Sequence, residues 1–183
     1  MDHVCPWWFG TLLASRVRKL VQDPARILSP YVGAGMTALE PGPGMGFFTV
    51  ELARLVGPKG KVVAVDLQQP MLDGVRARAE RSGLADRLVL RKVTPDSLGV
   101  GDLAGQIDFA LVFWMLHEVP DQARFLGEIA AALAPGGKVL LCEPRGHVSA
   151  KAFEASLEVA AKVGLRVESR PSIRLSRAAL LAR

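Results

Sequence analysis

Short apolar runs alternate with stretches of helical period along most of the chain. From Thr37 onward such runs stand at Thr37–Glu40, Lys61–Asp66, Leu88–Val93, Asp108–Phe113, Lys138–Glu143 and Leu165–Glu168. A last one, Ala178–Ala182, closes the chain. These predict strands, and helices fit between them. Phe47–Val56 stops at Gly57-Pro58, a glycine cap followed by a residue that cannot continue a helix. Pro70–Ser82 opens with proline in its first turn and ends at Gly83. Asp121–Ala134 begins on an N-capping carboxylate and sets Phe125, Ile129, Ala130 and Leu133 on one face. Ser149–Val163 does the same with Phe153, Leu157, Ala160 and Ala161 before Gly164. The alternation predicts βαβ units around a parallel sheet.

The first 34 residues break this rhythm and read as an N-terminal helical cap. Phe9, Leu12, Leu13, Val17, Leu20 and Val21 make an amphipathic stripe, and Asp23-Pro24 looks like the start of a second short helix. Ahead of them stands Cys5-Pro6-Trp7-Trp8-Phe9. Trp7 and Trp8 either pack a terminal helix onto the sheet or form a lid over a substrate crevice. Ligands of open α/β sheets bind outside the carboxyl ends of the strands, where such a lid would close.

Composition narrows the class. A chain of 183 residues, half apolar and 22% charged, is one ordinary globular domain with material for a core. Mean hydropathy is +0.24, yet no run reaches membrane length. Ile27–Leu39, 13 residues without a charge, contains a proline and two glycines, against the ~20 that a spanning helix needs. Met1-Asp2-His3 is not a signal-peptide start, so a cytoplasmic location is expected. Cys5 and Cys142 make neither a disulfide framework nor a zinc quartet. The net charge of +5 invites a nucleic-acid partner. The nearest thing to a cluster is Arg16, Arg18 and Lys19 near the start and Arg166, Arg170, Arg174, Arg177 and Arg183 at the end, without an RGG tract or an RNP-like pattern.

The most informative segment is Glu40-Pro41-Gly42-Pro43-Gly44-Met45-Gly46, between a predicted strand and a predicted helix. Glycines let the backbone turn sharply and approach a ligand, and the next helix presents unpaired N–H groups. The second strand ends in Asp66, about 20 residues on, where an acid can accept both hydroxyls of a ribose. A dinucleotide fingerprint is G-x-G-x-x-G, and its pyrophosphate disfavours a neighbouring carboxylate. Here the spacing is G-x-G-x-G and Glu40 stands just before it. A carboxylate suits a ligand with an ammonium and a sulfonium, which favours S-adenosylmethionine over a nicotinamide dinucleotide.

At this loop the chain resembles the class I S-adenosylmethionine-dependent methyltransferases, in the small-molecule, quinone-biosynthesis-like or methyltransferase type 11-like group. Glu40–Gly46 is similar to the family's acid-x-G-x-G-x-G motif, and Asp66 to its ribose-binding acid. Asp108–Phe113 resembles the fourth-strand motif. Trp114-Met115-Leu116-His117-Glu118-Val119-Pro120-Asp121 resembles the "LHHVPD"-like stretch that follows it. Leu133-Ala134-Pro135-Gly136-Gly137 is similar to the turn entering the fifth strand. These matches span residues 37–143. The resemblance implies an α/β, Rossmann-like, doubly wound sheet of seven strands in the order 3-2-1-4-5-7-6, the seventh antiparallel, over residues 35–183. It implies that Glu40, Gly42, Pro43 and Gly44 line the methionine half of the cofactor, that Asp66 holds the ribose and that Leu67 packs on the adenine. Thr94, with Asp96 as its rival, would read the adenine amino group. Phe113 and Trp114 fall where the fourth strand ends beside the methyl group.

Methyl transfer from a sulfonium is an in-line displacement whose leaving group departs neutral, so the protein must mainly align the reactants and exclude water. A base is needed only when the nucleophile carries a proton. His117 is the candidate base, and Glu118 beside it would orient it or take part. Glu143 and His147 are candidate substrate contacts after the fifth strand, with Trp7, Trp8 and Trp114. His3, His117 and His147 have no metal-ligand spacing, so no metal is expected. A small, apolar or aromatic acceptor is the leading expectation. An RNA methyltransferase, a nicotinamide-dependent oxidoreductase and a non-catalytic cofactor-binding subunit are its rivals. With no inserted substrate domain, recognition must come from the N-terminal segment, the loops after strands four and five, or a second subunit.

Overall fold

A computed structural model describes residues 21–183. Trp7, Trp8, His3, Cys5, most of the amphipathic stripe and the Arg16–Lys19 charges lie outside the described residues. The chain divides into two units, one ending at Asp96 and the other comprising Ser97–Arg183.

The first unit opens with α1 (Pro24–Leu28), which Asp23 caps by accepting Ala25 N–H at 3.1 Å. Then follow β1 (Thr37–Pro41), α2 (Thr49–Val56), β2 (Lys61–Asp66), α3 (Gln69–Arg81) and β3 (Leu88–Lys92). The strands run parallel in the order β3-β2-β1. Val62–Val65 are buried, as are Leu52, Ala53 and Val56 on α2 and Leu72, Val75 and Ala79 on α3. The interdigitated faces of these helices and strands supply the core, at about 1.5–3 kcal/mol per large side chain. Helix α2 starts two residues later than its apolar period predicts. Gly46, at φ +78°, is left-handed, so the helix begins only at Thr49, with Phe48 at its N-cap.

The second unit holds β4 (Ile107–Phe113), α4 (Gln122–Ala132), β5 (Leu133–Pro144), α5 (Ala150–Lys162), β6 (Arg166–Ser169) and β7 (Ser176–Ala182). Asp121 and Ser149 cap α4 and α5 through Arg124 N–H (2.9 Å) and Ala152 N–H (3.1 Å). Strand β5 pairs parallel with β4 and antiparallel with β7, whose other neighbour is β6, again antiparallel. The full sheet has seven strands in the order β3-β2-β1-β4-β5-β7-β6. Strand pairing of β5 starts earlier than its apolar run predicts: Leu133 already sits opposite Ile107, and the ladder resumes at Phe109–Lys138 after the Pro135-Gly136-Gly137 bend. A Cβ at Gly137 would stand 2.7 Å from Ile107 O, so only glycine lets the strands close up there.

Candidate active site

In the first unit the relevant geometry lies where β1 and β2 end. Glu40 is 3% exposed near the end of β1, just before the glycine loop. Gly42, Gly44 and Gly46 have φ of +64°, +54° and +78°, a run of left-handed conformations that side chains disfavour. A Cβ added at Gly44 would meet no atom within 4 Å, so the space beside the backbone is open there. Pro43 is buried and its carbonyl accepts Gly46 N–H at 3.0 Å, which closes the turn. Helix α2 has no side-chain cap, and neither has α3, whereas α1, α4 and α5 are all capped. The hydroxyl of Thr49, in the first turn of α2, is buried without a hydrogen-bond partner among the described residues.

Asp66 ends β2, half-buried, and its Oδ1 accepts Gln68 N–H at 2.8 Å. That turn fixes the carboxylate and leads into α3, with Leu67 half-buried beside it. Val93 N–H donates to Asp66 O at 3.0 Å, so the chain leaving β3 stays beside the end of β2. Thr94 follows directly, and both it and Asp96 are exposed.

The second unit gathers its chemistry where β4 and β5 end. Glu143, 1% exposed, accepts Leu116 N–H on Oε1 at 2.9 Å, and its Oε2 meets His117 Nδ1. Burial pushes the Glu143 carboxyl above its ordinary range, against the pull of His117. The carboxylate bonded to His117 is therefore that of Glu143, 26 residues on, and not that of the adjacent Glu118. The rings of His117 and His147 stand edge to face with centroids 6.1 Å apart. His147 is held in the turn after β5 by its N–H bond to Pro144 O (3.1 Å).

Trp114 follows the last residue of β4 at φ +58°, a conformation that costs a bulky residue about 1–3 kcal/mol. Two hydrogen bonds hold it there: its N–H donates to Cys142 O (2.8 Å) and its Nε1–H to Ser176 Oγ (2.9 Å). Phe113 lies against it, ring centroids 5.6 Å apart. Cys142 is itself buried, and burial pushes its thiol well up, away from reactivity. No group of three or more His, Cys, Asp or Glu among the described residues is placed to hold a metal ion.

Two residues here carried no signal in the sequence pattern. Ser176, buried at the start of β7, anchors Trp114, and Arg145 donates its Nε–H to Ser176 O (2.9 Å). Both depend on β7 lying antiparallel beside β5, which sets Ser176 opposite Pro144.

A parallel sheet with a glycine turn after its first strand, an acid after its second and an antiparallel last strand defines the class I methyltransferase fold. Residues 39–141 match the family model described as "Methyltransferase domain", and the chain belongs to that family, whose methyl donor is S-adenosylmethionine. It is 31% identical over 126 residues to the ubiquinone/menaquinone biosynthesis C-methyltransferase UbiE of Hahella chejuensis, covering 67% of this chain and 50% of that one. It is 33% identical over 112 residues to the demethylmenaquinone methyltransferase of Lactobacillus johnsonii, covering 61% and 45% respectively. The chain thus spans about half the length of these curated relatives. Among solved structures, a SAM-dependent methyltransferase from Aquifex aeolicus superposes with a TM-score of 0.84 at 22% identity, over 98% of this chain and 100% of that one.

The residues present fit the donor. Three left-handed glycines with open space at Gly44, an uncapped helix, the orphaned Thr49 hydroxyl and two carboxylates suit a ligand with a cationic amino acid end and a ribose. A buried Glu40 opposes a pyrophosphate at the same place.

Proposed function

We propose that the protein transfers a methyl group from S-adenosylmethionine to a small apolar or aromatic acceptor. The observation that carries the reading is the pair of carboxylates flanking the glycine turn, Glu40 buried before it and Asp66 fixed at the end of β2. When bound, S-adenosylmethionine supplies an electrophilic methyl carbon attached to a good neutral leaving group. Glu40, Gly42, Pro43 and Gly44 would hold its amino acid end, Asp66 the ribose, and Leu67 and Thr94 the adenine. Phe113 and Trp114 offer an aromatic wall to an acceptor.

His117 is the base in this reading. With Glu143 ionised, His117 Nδ1–H donates to it, and Nε2 is left with a lone pair to take the acceptor's proton. The imidazolium that forms lies against the Glu143 carboxylate, which stabilises it. His147 lines the same corner, and Glu118 stands one residue past His117 without being its hydrogen-bonding carboxylate.

The donor reading is tested by equilibrium binding: S-adenosylhomocysteine is expected to bind in the micromolar range and NADH not to bind. The reverse order of affinities would overturn it. Once an acceptor is found by label transfer from the methyl-labelled donor, His117→Ala should lower kcat by about 10²–10⁴-fold with little change in S-adenosylhomocysteine affinity. An unchanged kcat would remove His117 as the base and leave the donor reading standing.

A further inference from the structure

We propose that Arg145 reads an anionic group on the acceptor, so that the substrate class is aromatic acids; this rests on the acceptor reading above. Arg145 follows the last residue of β5 and is exposed, yet its side chain is tied down. Its N–H donates to Leu175 O and its Nε–H to Ser176 O, each at 2.9 Å. Among the described residues its Nη1 and Nη2 have no hydrogen-bond or ion-pair partner. The nearest acid in sequence, Glu143, is already engaged by Leu116 N–H and His117. A guanidinium held by Nε presents the remaining N–H fork in a set direction, the arrangement that takes a carboxylate bidentately.

The same residue that fixes Arg145 also fixes the aromatic wall. Ser176 accepts Arg145 on its carbonyl and Trp114 Nε1–H on its hydroxyl, so a flat ring and an unengaged guanidinium are anchored within one residue of each other. The left-handed backbone of Leu175 (φ +61°) turns the β6–β7 loop into this position and leaves Leu175 56% exposed, an apolar residue whose carbonyl holds the Arg145 N–H. Apolar surface, an indole and a guanidinium together match a small molecule with an aromatic body and a carboxylate. The neutral amide of the same acid would keep the ring contact and lose the ion pair.

The test compares benzoate, phenylacetate and 3-phenylpropanoate with their amides, by calorimetry on the full chain saturated with S-adenosylhomocysteine and again without it. At least one acid is expected to bind about tenfold more tightly than its amide, and 0.5 M salt should erase that preference. Arg145→Gln should also erase it while the amide's affinity stays unchanged, and Arg145→Lys should restore it only in part. The salt test on the unsubstituted protein stands even if Arg145→Gln is poorly folded. Equal affinities for acid and amide, no binding of any pair, or a preference that survives Arg145→Gln would each overturn the proposal. Failure of S-adenosylhomocysteine to bind while the acid preference persists would instead count against the donor reading alone.

Discussion

Glu143 is the residue at which burial and the proposed chemistry meet. A carboxylate that is 1% exposed is retained because two donors converge on it, Leu116 N–H and His117 Nδ1. Desolvation still wins, and its protonation equilibrium lies above the ordinary value of 4.5. The folded state therefore binds this proton more tightly than the unfolded chain does. The corresponding stability is fully present below pH 4.5 and is lost as pH rises through the higher folded value. The slope of one such proton is at most about 1.4 kcal/mol per pH unit. In Glu143→Gln, which can still accept Leu116 N–H, urea unfolding measured across this range should lack that falling component. Parallel pH profiles for the two proteins would show that Glu143 is ionised at no cost. The pair itself was not legible from the sequence, in which Glu118 is the nearer acid. A strand register, not a spacing, brings Glu143 to His117 across 26 residues.

At the scale of elements, local chemistry was legible and long-range pairing was not. The caps at Asp23, Asp121 and Ser149 form as their side chains require, and the turn after β1 is where its glycines put it. Helix α2 and strand β5 shifted their starts because Gly46 and Gly137 impose backbone geometry that apolar periodicity does not register. Ser176 was silent for a further reason: its importance follows from β7 inserting antiparallel between β5 and β6. One helix glycine shows what an element boundary does for the site. Gly74 lies inside α3, where alanine would favour the helix by about 1 kcal/mol. A Cβ there would come 2.2 Å from Met45 Sδ, so the gap in α3 receives the methionine of the glycine turn. Gly74→Ala must displace the Met45 side chain, which is part of the same turn as Gly44 and Gly46. Unfolding free energy is expected within about 1 kcal/mol of the parent, since overpacking offsets the helix gain. S-adenosylhomocysteine affinity should fall several-fold, and Met45→Ala in the same chain should recover most of it. Calorimetry that finds unchanged affinity in Gly74→Ala would separate Met45 from the proposed cofactor site.

Over the whole molecule, the net charge of +5 is the property that best distinguishes a metabolite enzyme from an RNA-directed one. Phosphate recognition needs arginines whose forks are available together. Some of the charges near the end of the chain are committed elsewhere. Arg170 makes two bonds to Glu154 (2.7 and 2.8 Å) and Arg183 Nη1–H donates to Ala130 O, while among the described residues Arg177 is held only by its Nε–H bond to Val148 O, as Arg145 is by Ser176 O. Lys138, on the central part of β5, is paired with Glu168 at 2.7 Å. These contacts tie β6 and β7 to their neighbours and take Arg170 and Lys138 into ion pairs with Glu154 and Glu168. The positive charge then acts diffusely, drawing polyanions weakly and without register. Fluorescence anisotropy with a single-stranded RNA 20-mer should accordingly give a dissociation constant above about 10 µM at physiological salt. The slope of log affinity against log salt should correspond to no more than about three phosphates. A slope of six or more with sub-micromolar affinity would move the acceptor from aromatic acids to RNA. It would also make Arg145, with its unengaged fork, the first residue to test in that new role.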